Sequence, residues 1–219
     1  MRLLVATTNT NKVREIRALL DGVDVDLMTL DAWPALAAPE ETGRTFEENA
    51  RQKAAYYATA TGELTVAEDS GLEIDALAGA PGIESARYGG ATLSYPQKFA
   101  RLYDELRAAR AASAAAHRPL SEAARFVCAL ALMCDGRVLF ETRGTIEGTI
   151  APEPRGAGGF GYDPIFFYPP YGRTLGEVPQ EGKAAVSHRG QAFRKLKAFL
   201  ERASAFKTTC PPASVVRDR

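Results

Sequence analysis

The chain has 219 residues, of which 46% are hydrophobic and 25% are charged, a balance typical of a globular protein with a sizeable core. Lysine plus arginine and aspartate plus glutamate both number 27, so the formal net charge is zero. A general nucleic-acid binder usually carries a basic excess, so this class is disfavoured, and an anionic ligand would need a local cluster of positive groups.

The first half of the chain alternates short apolar runs with segments of helical periodicity. The apolar runs predict strands over residues 3–7, 25–30 and 64–67, the last of which stops at Glu68. Apolar residues at helical spacing predict helices over residues 10–20 and 46–61, the second ended by Gly62. Residues 31–45 contain proline and glycine and are predicted to form a loop.

The second half contains a predicted hairpin and two further helices. A helix is predicted from Tyr95 to about Arg110, and an alanine-rich stretch over 108–116 is interpreted as frayed helix or linker. The apolar run Phe126–Cys134, whose two cysteines are predicted to be buried free thiols, meets Asp135-Gly136, a dipeptide that favours a tight hairpin. The final helix is predicted to start near Ser187. This alternation of helices and strands, together with the hairpin, predicts an α/β fold with a mixed sheet.

A polar segment follows the first predicted strand and opens the first predicted helix. It reads Thr7-Thr8-Asn9-Thr10-Asn11-Lys12. The N-terminus of a helix presents unpaired backbone N–H groups and the positive end of the dipole, which suits a phosphate group. Lys12 would add charge. The alternative is an ordinary N-cap followed by a solvated lysine.

Carboxylates occur at two places, Glu40-Glu41 in a predicted loop and Glu68-Asp69 at the predicted end of a buried strand. Carboxylates at strand ends of α/β sheets often face the ligand crevice. Mg²⁺ favours oxygen ligands and commonly uses one or two carboxylates together with substrate phosphates. The alternative for Glu40 and Glu41 is a solvated loop pair.

A glycine-rich segment, Gly156–Gly161, matches the pattern G-x-G-x-x-G. The dinucleotide-binding motif needs a strand before it and a helix after it, and here Pro164 and an apolar run follow, so that interpretation is rejected. A flexible loop that carries Phe160 could instead place an aromatic ring against a flat base. The alternative is a turn with Phe160 in the core.

Positive residues gather near the start of the last helix, where Lys183 precedes Ser187-His188-Arg189. These groups suit an anion or a carbonyl-bearing base, and the alternative is a solvated cap with ordinary surface charges. The chain has two histidines, which excludes a multi-histidine metal site. It has no Walker-type phosphate loop and no evident nucleophile, so activated water is the simplest chemical route.

Six segments spread over the chain together carry a family resemblance. They are Ala6–Lys12, Thr45–Ala54, Glu68–Leu72, Gly79–Tyr88, Gly158–Phe166 and Ser187–Arg189. In this order they resemble the inosine triphosphate pyrophosphatase family, and six segments in register are highly specific although each alone is weak. Glu68 departs from bacterial members, which often have aspartate there, and its role is left open.

The resemblance implies an α/β fold with an elongated mixed sheet, flanking helices and two lobes around a central substrate cleft. It implies hydrolysis of ITP, dITP and XTP to the nucleoside monophosphate and pyrophosphate, which keeps these nucleotides out of DNA and RNA. It also implies a homodimer and a Mg²⁺ requirement. A single domain is expected over residues 1–206, followed by a loose tail over 207–219. The start lacks a signal-peptide hydrophobic region, so a cytoplasmic location is expected.

The resemblance also assigns roles to particular residues. Carried over position by position, Glu40 and Asp69 would bind Mg²⁺, and Asp69 would accept the proton from the attacking water. The residues expected to bind substrate are Thr7, Thr8, Asn9, Thr10, Asn11, Lys12, Lys53, Ser70, Phe160, Gly161, Tyr162, Asp163, Lys183, His188 and Arg189.

Two other functions remain open at this point. One is a related pyrophosphatase that acts on other modified nucleotides, such as modified pyrimidines, and the other is a non-catalytic nucleotide sensor. A sensor has no need for the metal and base set formed by Glu40, Lys53 and Asp69, so the sequence favours an enzyme.

Overall fold

The structure, a computed structural model, describes residues 1–205. The predicted tail over 207–219 lies outside the described residues, and the single domain over 1–206 stays a prediction. The helices are α1 (Thr10–Leu19), α2 (Phe46–Thr61), α3 (Tyr95–Ala115), α4 (Gln180–Val186) and α5 (His188–Ala205). The strands are β1 (Arg2–Val5), β2 (Asp26–Thr29), β3 (Thr65–Ile74), β4 (Ala123–Cys134), β5 (Arg137–Ile150), β6 (Phe166–Tyr168) and β7 (Arg173–Thr174).

The strands of the described chain form a seven-stranded sheet in the order β2-β1-β3-β4-β5-β6-β7. Strand β1 pairs in parallel with β2 and with β3, whereas β6 pairs in antiparallel fashion with β5 and with β7. The sheet is therefore mixed. The predicted α/β class, with a mixed sheet and flanking helices, is confirmed.

The described chain divides into two compact units, each with its own hydrophobic core. Unit 1 comprises residues 1–69, 128–143 and 191–205, and unit 2 comprises residues 70–127 and 144–190. The core of unit 1 includes Leu3, Ile16, Val66, Leu130 and Phe193. The core of unit 2 includes Leu72, Phe99, Phe126, Ile165 and Phe166. Burying a large apolar side chain of this kind contributes roughly 1.5–3 kcal/mol, which stabilises each unit.

Helix α2 has the bounds that the sequence predicts. Thr45 caps its start, because the Thr45 hydroxyl accepts a hydrogen bond of 3.1 Å from the Glu48 N–H, and Gly62 ends it in the left-handed conformation. Ala50, Ala54 and Ala58 recur every fourth residue and are all buried, so they form the face that packs on the core.

The hairpin between β4 and β5 is confirmed. Asp135 has φ 48° and Gly136 has φ 70°, so both central residues lie in the left-handed region that a type I′ turn requires. The apolar run before the turn is buried, as expected for the middle of a sheet.

Three element predictions need correction. Strand β3 does not stop at Glu68 but continues through Asp69 to Ile74, because the polar residues are themselves buried within the sheet. Helix α3 continues through the alanine-rich stretch to Ala115, which agrees with the high helix propensity of alanine. A short helix, α4, precedes the predicted final helix.

The cysteine prediction is half correct. Cys128 is a buried free thiol, as predicted. Cys134 is also buried, but it is disulfide-bonded, so the predicted free thiol is wrong at that position. An apolar run predicts burial but does not determine the oxidation state of a thiol. Within residues 1–205, no helix is long and apolar enough to cross a bilayer.

Candidate active site

The polar segment after β1 leads into the first turn of α1. Asn9 is the N-cap, and its side-chain oxygen accepts hydrogen bonds from the backbone N–H groups of Asn11 at 3.0 Å and Lys12 at 3.2 Å. The Thr7 hydroxyl accepts from the Asn9 N–H at 3.2 Å. Thr7, Thr8 and Asn9 thus directly precede the first helical residues Thr10, Asn11 and Lys12, and Thr8, Asn9 and Thr10 are exposed. An exposed N-terminal turn of this kind suits an anionic group.

A buried group of charged side chains in unit 1 centres on Lys53 of α2. Its ammonium donates to Glu41 Oε1 at 2.7 Å and to Asp69 Oδ1 at 3.0 Å. The side-chain amide of Asn49 donates to the other carboxylate oxygen of Asp69, Oδ2, at 3.1 Å. Asn49 and Lys53 are four residues apart, so one face of α2 presents both donors to Asp69.

The pKa values in this group follow from burial and charge. Burial raises the pKa of Asp69 above its ordinary value, and the Lys53 charge with the two hydrogen bonds offsets this effect only in part. Burial lowers the pKa of Lys53, but the charge of Asp69 and the contact with Glu41 outweigh it, so the net shift is upward. Lys53 therefore stays charged, whereas Asp69 binds a proton more readily than an ordinary aspartate does.

The neighbouring residues Glu40 and Glu41 differ in placement. Glu40 is exposed, whereas Glu41 is half-buried and contacts Lys53. The sequence analysis also missed Asn49, which is fully buried and holds Asp69. Its spacing of four residues from Lys53 on a predicted helix was the signal that could have found it.

The carboxylates of unit 1 can be tested as metal ligands. Within residues 1–205, no group of three or more His, Cys, Asp or Glu residues could hold a metal ion. Glu41 and Asp69, however, bind one ammonium between them, so both carboxylates already face a shared cation position. Mg²⁺ commonly uses one or two carboxylates and takes its remaining ligands from substrate phosphates and water, so this pair fits such an ion.

A second group of buried charges lies in unit 2 and centres on Asp163. Its Oδ2 accepts from the Lys183 ammonium at 2.6 Å and from the Phe160 N–H at 2.7 Å, and the side chains of Asp163 and Lys183 are each only 2% exposed. The ring of half-buried Phe160 has the Lys183 ammonium 4.7 Å and the Arg189 guanidinium 5.4 Å from its centroid. The ring is thus placed against two positive groups rather than within the apolar core.

Arg189 and His188 of unit 2 are buried as well. Arg189 is 2% exposed and donates to the Ser70 hydroxyl at 3.0 Å. His188 is buried, and its ring stacks on Phe126 with centroids 4.8 Å apart. Lys183, His188 and Arg189 are therefore not ordinary surface charges, which was the alternative interpretation.

Tyr162 has a mainly structural environment. Its side chain is buried, its hydroxyl donates to the Ser85 carbonyl at 2.9 Å, and its ring meets that of Tyr95 edge to face at 5.4 Å. Burial raises the pKa of the Tyr162 phenol, so it stays protonated. Gly161 is half-buried and lies close to Tyr95, since a Cβ there would be 3.5 Å from the Tyr95 hydroxyl.

The mixed sheet, the polar helix start after β1 and a lysine–carboxylate pair in each unit define the class of this α/β protein. The chain belongs to the Ham1 family, whose model matches residues 3–199.

Relatives of known sequence resemble the chain over nearly its whole length. It is 46% identical over 200 residues to a dITP/XTP pyrophosphatase of Geobacter sulfurreducens, covering 91% of this chain and 96% of that protein. It is 44% identical over 215 residues to a dITP/XTP pyrophosphatase of Thermus thermophilus, covering 98% and 96%.

Solved structures agree with the fold. A HAM1 protein from Coxiella burnetii matches with a TM-score of 0.83 and 36% identity, covering 92% of this chain and 99% of that one. A nucleoside-triphosphatase / dITP/XTP pyrophosphatase from Mycobacterium abscessus matches with a TM-score of 0.70 and 39% identity, covering 91% and 99%.

Proposed function

We propose that the protein is a nucleoside-triphosphate pyrophosphatase that hydrolyses the deaminated purine nucleotides ITP, dITP and XTP to the monophosphate and pyrophosphate. The observation that carries the proposal is the buried Asp69, held by Lys53 and Asn49 in a chain that is 46% identical to a dITP/XTP pyrophosphatase. A carboxylate that is oriented by two donors and has a raised pKa is suited to accept a proton.

Glu41 and Asp69 would hold Mg²⁺, with Glu41 in place of the exposed Glu40 that the resemblance suggests. When bound, the ion would neutralise charge on the phosphate oxygens of the substrate. Lys53 would then shift from bridging the two carboxylates to contacting the triphosphate, for which its flexible side chain is suited. The support is the shared cation position between the two carboxylates.

The triphosphate would be bound by the segment from Thr7 to Lys12, which leads into the first turn of α1, together with Lys53. Its exposed hydroxyls and N-terminal position supply donors and a favourable dipole. Asp69 would orient a water toward the α-phosphorus and accept its proton, with pyrophosphate as the leaving group. Chemistry of this kind depends mainly on positioning and electrostatics.

The base would be bound by the residues around Phe160. Its ring offers a flat surface for stacking, and Lys183, His188 and Arg189 offer donors toward the 6-oxo group of hypoxanthine or xanthine and toward the sugar. Adenine has an amino group at that position and would leave a buried donor unpaired, which can reduce reactivity by about 10⁴-fold. Four further residues would complete the substrate contacts, namely Ser70, Gly161, Tyr162 and Asp163. Asp163 also orients Lys183.

The protein would act in the cytoplasm as a homodimer, with residues 1–206 as one functional domain. The support for the location is the substrate class, since deaminated purine nucleotides arise in the cellular nucleotide pool and are removed before they reach DNA and RNA. A mass in solution of twice 23.6 kDa, measured by analytical ultracentrifugation, would support the dimer.

The identity of the products tests the reaction class. Purified protein is incubated with ITP and Mg²⁺, and the products are separated by anion-exchange chromatography. The proposal predicts the monophosphate and pyrophosphate in equal amounts, and no release in EDTA. The diphosphate and inorganic phosphate would instead indicate cleavage at the γ-phosphorus and refute the proposal.

A further inference from the structure

Glu68 is a buried charged residue of unit 1 that the proposed mechanism does not use. It is 3% exposed, and both of its carboxylate oxygens have a contact. Oε1 accepts from the Lys12 ammonium at 3.0 Å, and Oε2 accepts from the thiol of Cys128, with Sγ 3.4 Å away. Burying a charged carboxylate costs free energy unless the group is paired and hydrogen-bonded. The contacts with Lys12 and Cys128 supply this pairing, so they offset the cost of burying the charge of Glu68.

Glu68 and Asp69 are consecutive on β3, and they have different partners. Successive side chains of a strand point to opposite faces of the sheet. Accordingly, Asp69 contacts Asn49 and Lys53 of α2, whereas Glu68 contacts α1 and β4. This separation argues against Glu68 as a second ligand beside Asp69 and associates it with the N-terminal turn of α1 instead.

Lys12 is the residue through which Glu68 can act. The backbone N–H of Lys12 is fixed by Asn9, and its ammonium is held by Glu68, while the side chain as a whole is 17% exposed and so is not fully enclosed. An ammonium has three donors, of which this contact uses one. Immobilising a flexible lysine on binding costs entropy, and a carboxylate that holds it in advance removes part of that cost.

We propose that Glu68 is a positioning residue that holds the Lys12 ammonium ready for a polyphosphate, while the Cys128 thiol fixes the other carboxylate oxygen. The proposal rests on the proposed function in one respect, that Lys12 binds the triphosphate. The side chain of Glu68 spans the distance between β3 and α1.

A double-mutant cycle tests the proposal. The variants are Glu68→Gln, Lys12→Ala and the double variant, and the probe is inorganic tripolyphosphate, whose dissociation constant is measured by isothermal titration calorimetry at fixed Mg²⁺. Glu68→Gln should weaken binding about tenfold through loss of the charge-assisted contact. On the Lys12→Ala background the same change should have no further effect, because Glu68 acts through Lys12.

Two further measurements distinguish positioning from a merely structural role. Glu68→Gln should raise the KM for ITP about as much as the dissociation constant, with a smaller change in kcat, as expected for lost substrate binding. Glu63→Gln is the matched control, because it removes the 2.7 Å ion pair to Arg2 just before the same strand and should leave binding unchanged. Circular dichroism and thermal unfolding check the fold of every variant.

An unchanged dissociation constant in Glu68→Gln, or a loss that adds in full to that of Lys12→Ala, overturns the proposal. If Glu68→Gln does not fold, the cycle is run with Glu68→Asp, which should weaken binding about threefold because its carboxylate is one methylene shorter. If Glu68→Asp weakens tripolyphosphate binding equally on the Lys12→Ala background, or does not weaken it at all, the proposal is likewise overturned. Tripolyphosphate binding requires no turnover, so failure of the proposed reaction is scored separately.

Discussion

Asp69 lies between a lysine and an asparagine of the same helix, and its reactivity follows from that placement. Lys53 and Asn49 each donate to a different carboxylate oxygen, which fixes the plane of the group. The sequence pattern marked Asp69 as a candidate metal-binding carboxylate, and its role as proton acceptor was implied by the family resemblance alone. It did not predict Asn49, because the spacing of four residues from Lys53 indicates a shared helix face but not the partner that this face contacts.

Replacement of Asp69 by asparagine should remove catalysis and leave the fold intact. The amide has nearly the same shape but cannot accept the proton from water, so kcat should fall about 10³-fold. Steady-state kinetics with ITP measure the loss, and circular dichroism measures the fold. Near-normal turnover in Asp69→Asn would show that another group is the proton acceptor.

The pKa of Asp69 gives a second prediction at this scale. In the metal-free protein it should lie above the ordinary value of about 3.9, because burial outweighs the neighbouring donors. The contribution of this group to the free energy of unfolding is then fully present below the ordinary pKa and is lost as pH rises through the raised one. Carbon-13 NMR titration of the carboxyl group measures the value. A pKa at or below that of an unfolded aspartate would contradict the electrostatics.

The neighbours Glu40 and Glu41 form a matched pair that tests the metal assignment. Glu41→Gln should raise the Mg²⁺ concentration needed for half-maximal activity by at least about tenfold, because a ligand is lost. Glu40→Gln, with the same chemistry on an exposed side chain, should change it little. Mg²⁺ dependence of pyrophosphate release measures both. A larger change in Mg²⁺ dependence for Glu40→Gln than for Glu41→Gln would instead indicate that Glu40 is the metal ligand.

Elements differ in how far the sequence determines them. Helix α2 was predicted with its observed bounds from its helical spacing and its terminal glycine, and the Thr45 cap in the structure agrees with them. Strand β3 was predicted to end early, because Glu68, Asp69 and Ser70 resemble a turn. Its continuation depends on partners that only the fold supplies, namely Lys12 and Lys53 for the two carboxylates.

The glycine loop before Asp163 gives a prediction at the element scale. Gly159 has φ 68°, and a Cβ there would lie 2.0 Å from Asp163 Oδ2, the atom that also binds Lys183 and the Phe160 N–H. Gly159→Ala should therefore displace Phe160 and lower kcat/KM for ITP at least about tenfold.

Gly172 supplies the matched control, because it has φ 63° and a Cβ added there would meet no atom within 4 Å. Both alanine variants should lose roughly 1 kcal/mol of stability from the left-handed backbone, but Gly172→Ala should keep kcat/KM within about twofold. Thermal unfolding and kinetics with ITP measure the two effects. Equal losses of activity in both variants would show that backbone strain, rather than displacement of Asp163, causes the loss of activity.

At the scale of the whole molecule, the α/β class and the mixed sheet followed from the alternation of elements and from the Asp135-Gly136 turn. Two lobes were expected from the family resemblance alone, because the division into two units depends on which buried faces pack together. Charge shows the same limit. A net charge of zero indicated that positive groups must be local, but the fold was needed to show that Lys53 and Lys183 are each paired with a buried carboxylate.

Selectivity for the base tests the central claim most directly. Initial rates of pyrophosphate release are measured for ITP, dITP, XTP, GTP and ATP at saturating Mg²⁺, each at several concentrations so that kcat/KM is obtained. The account predicts rapid release from ITP, dITP and XTP, with ATP lower by about 10⁴-fold and GTP also nearly untouched. Equal release from all five, or release from none, would contradict it.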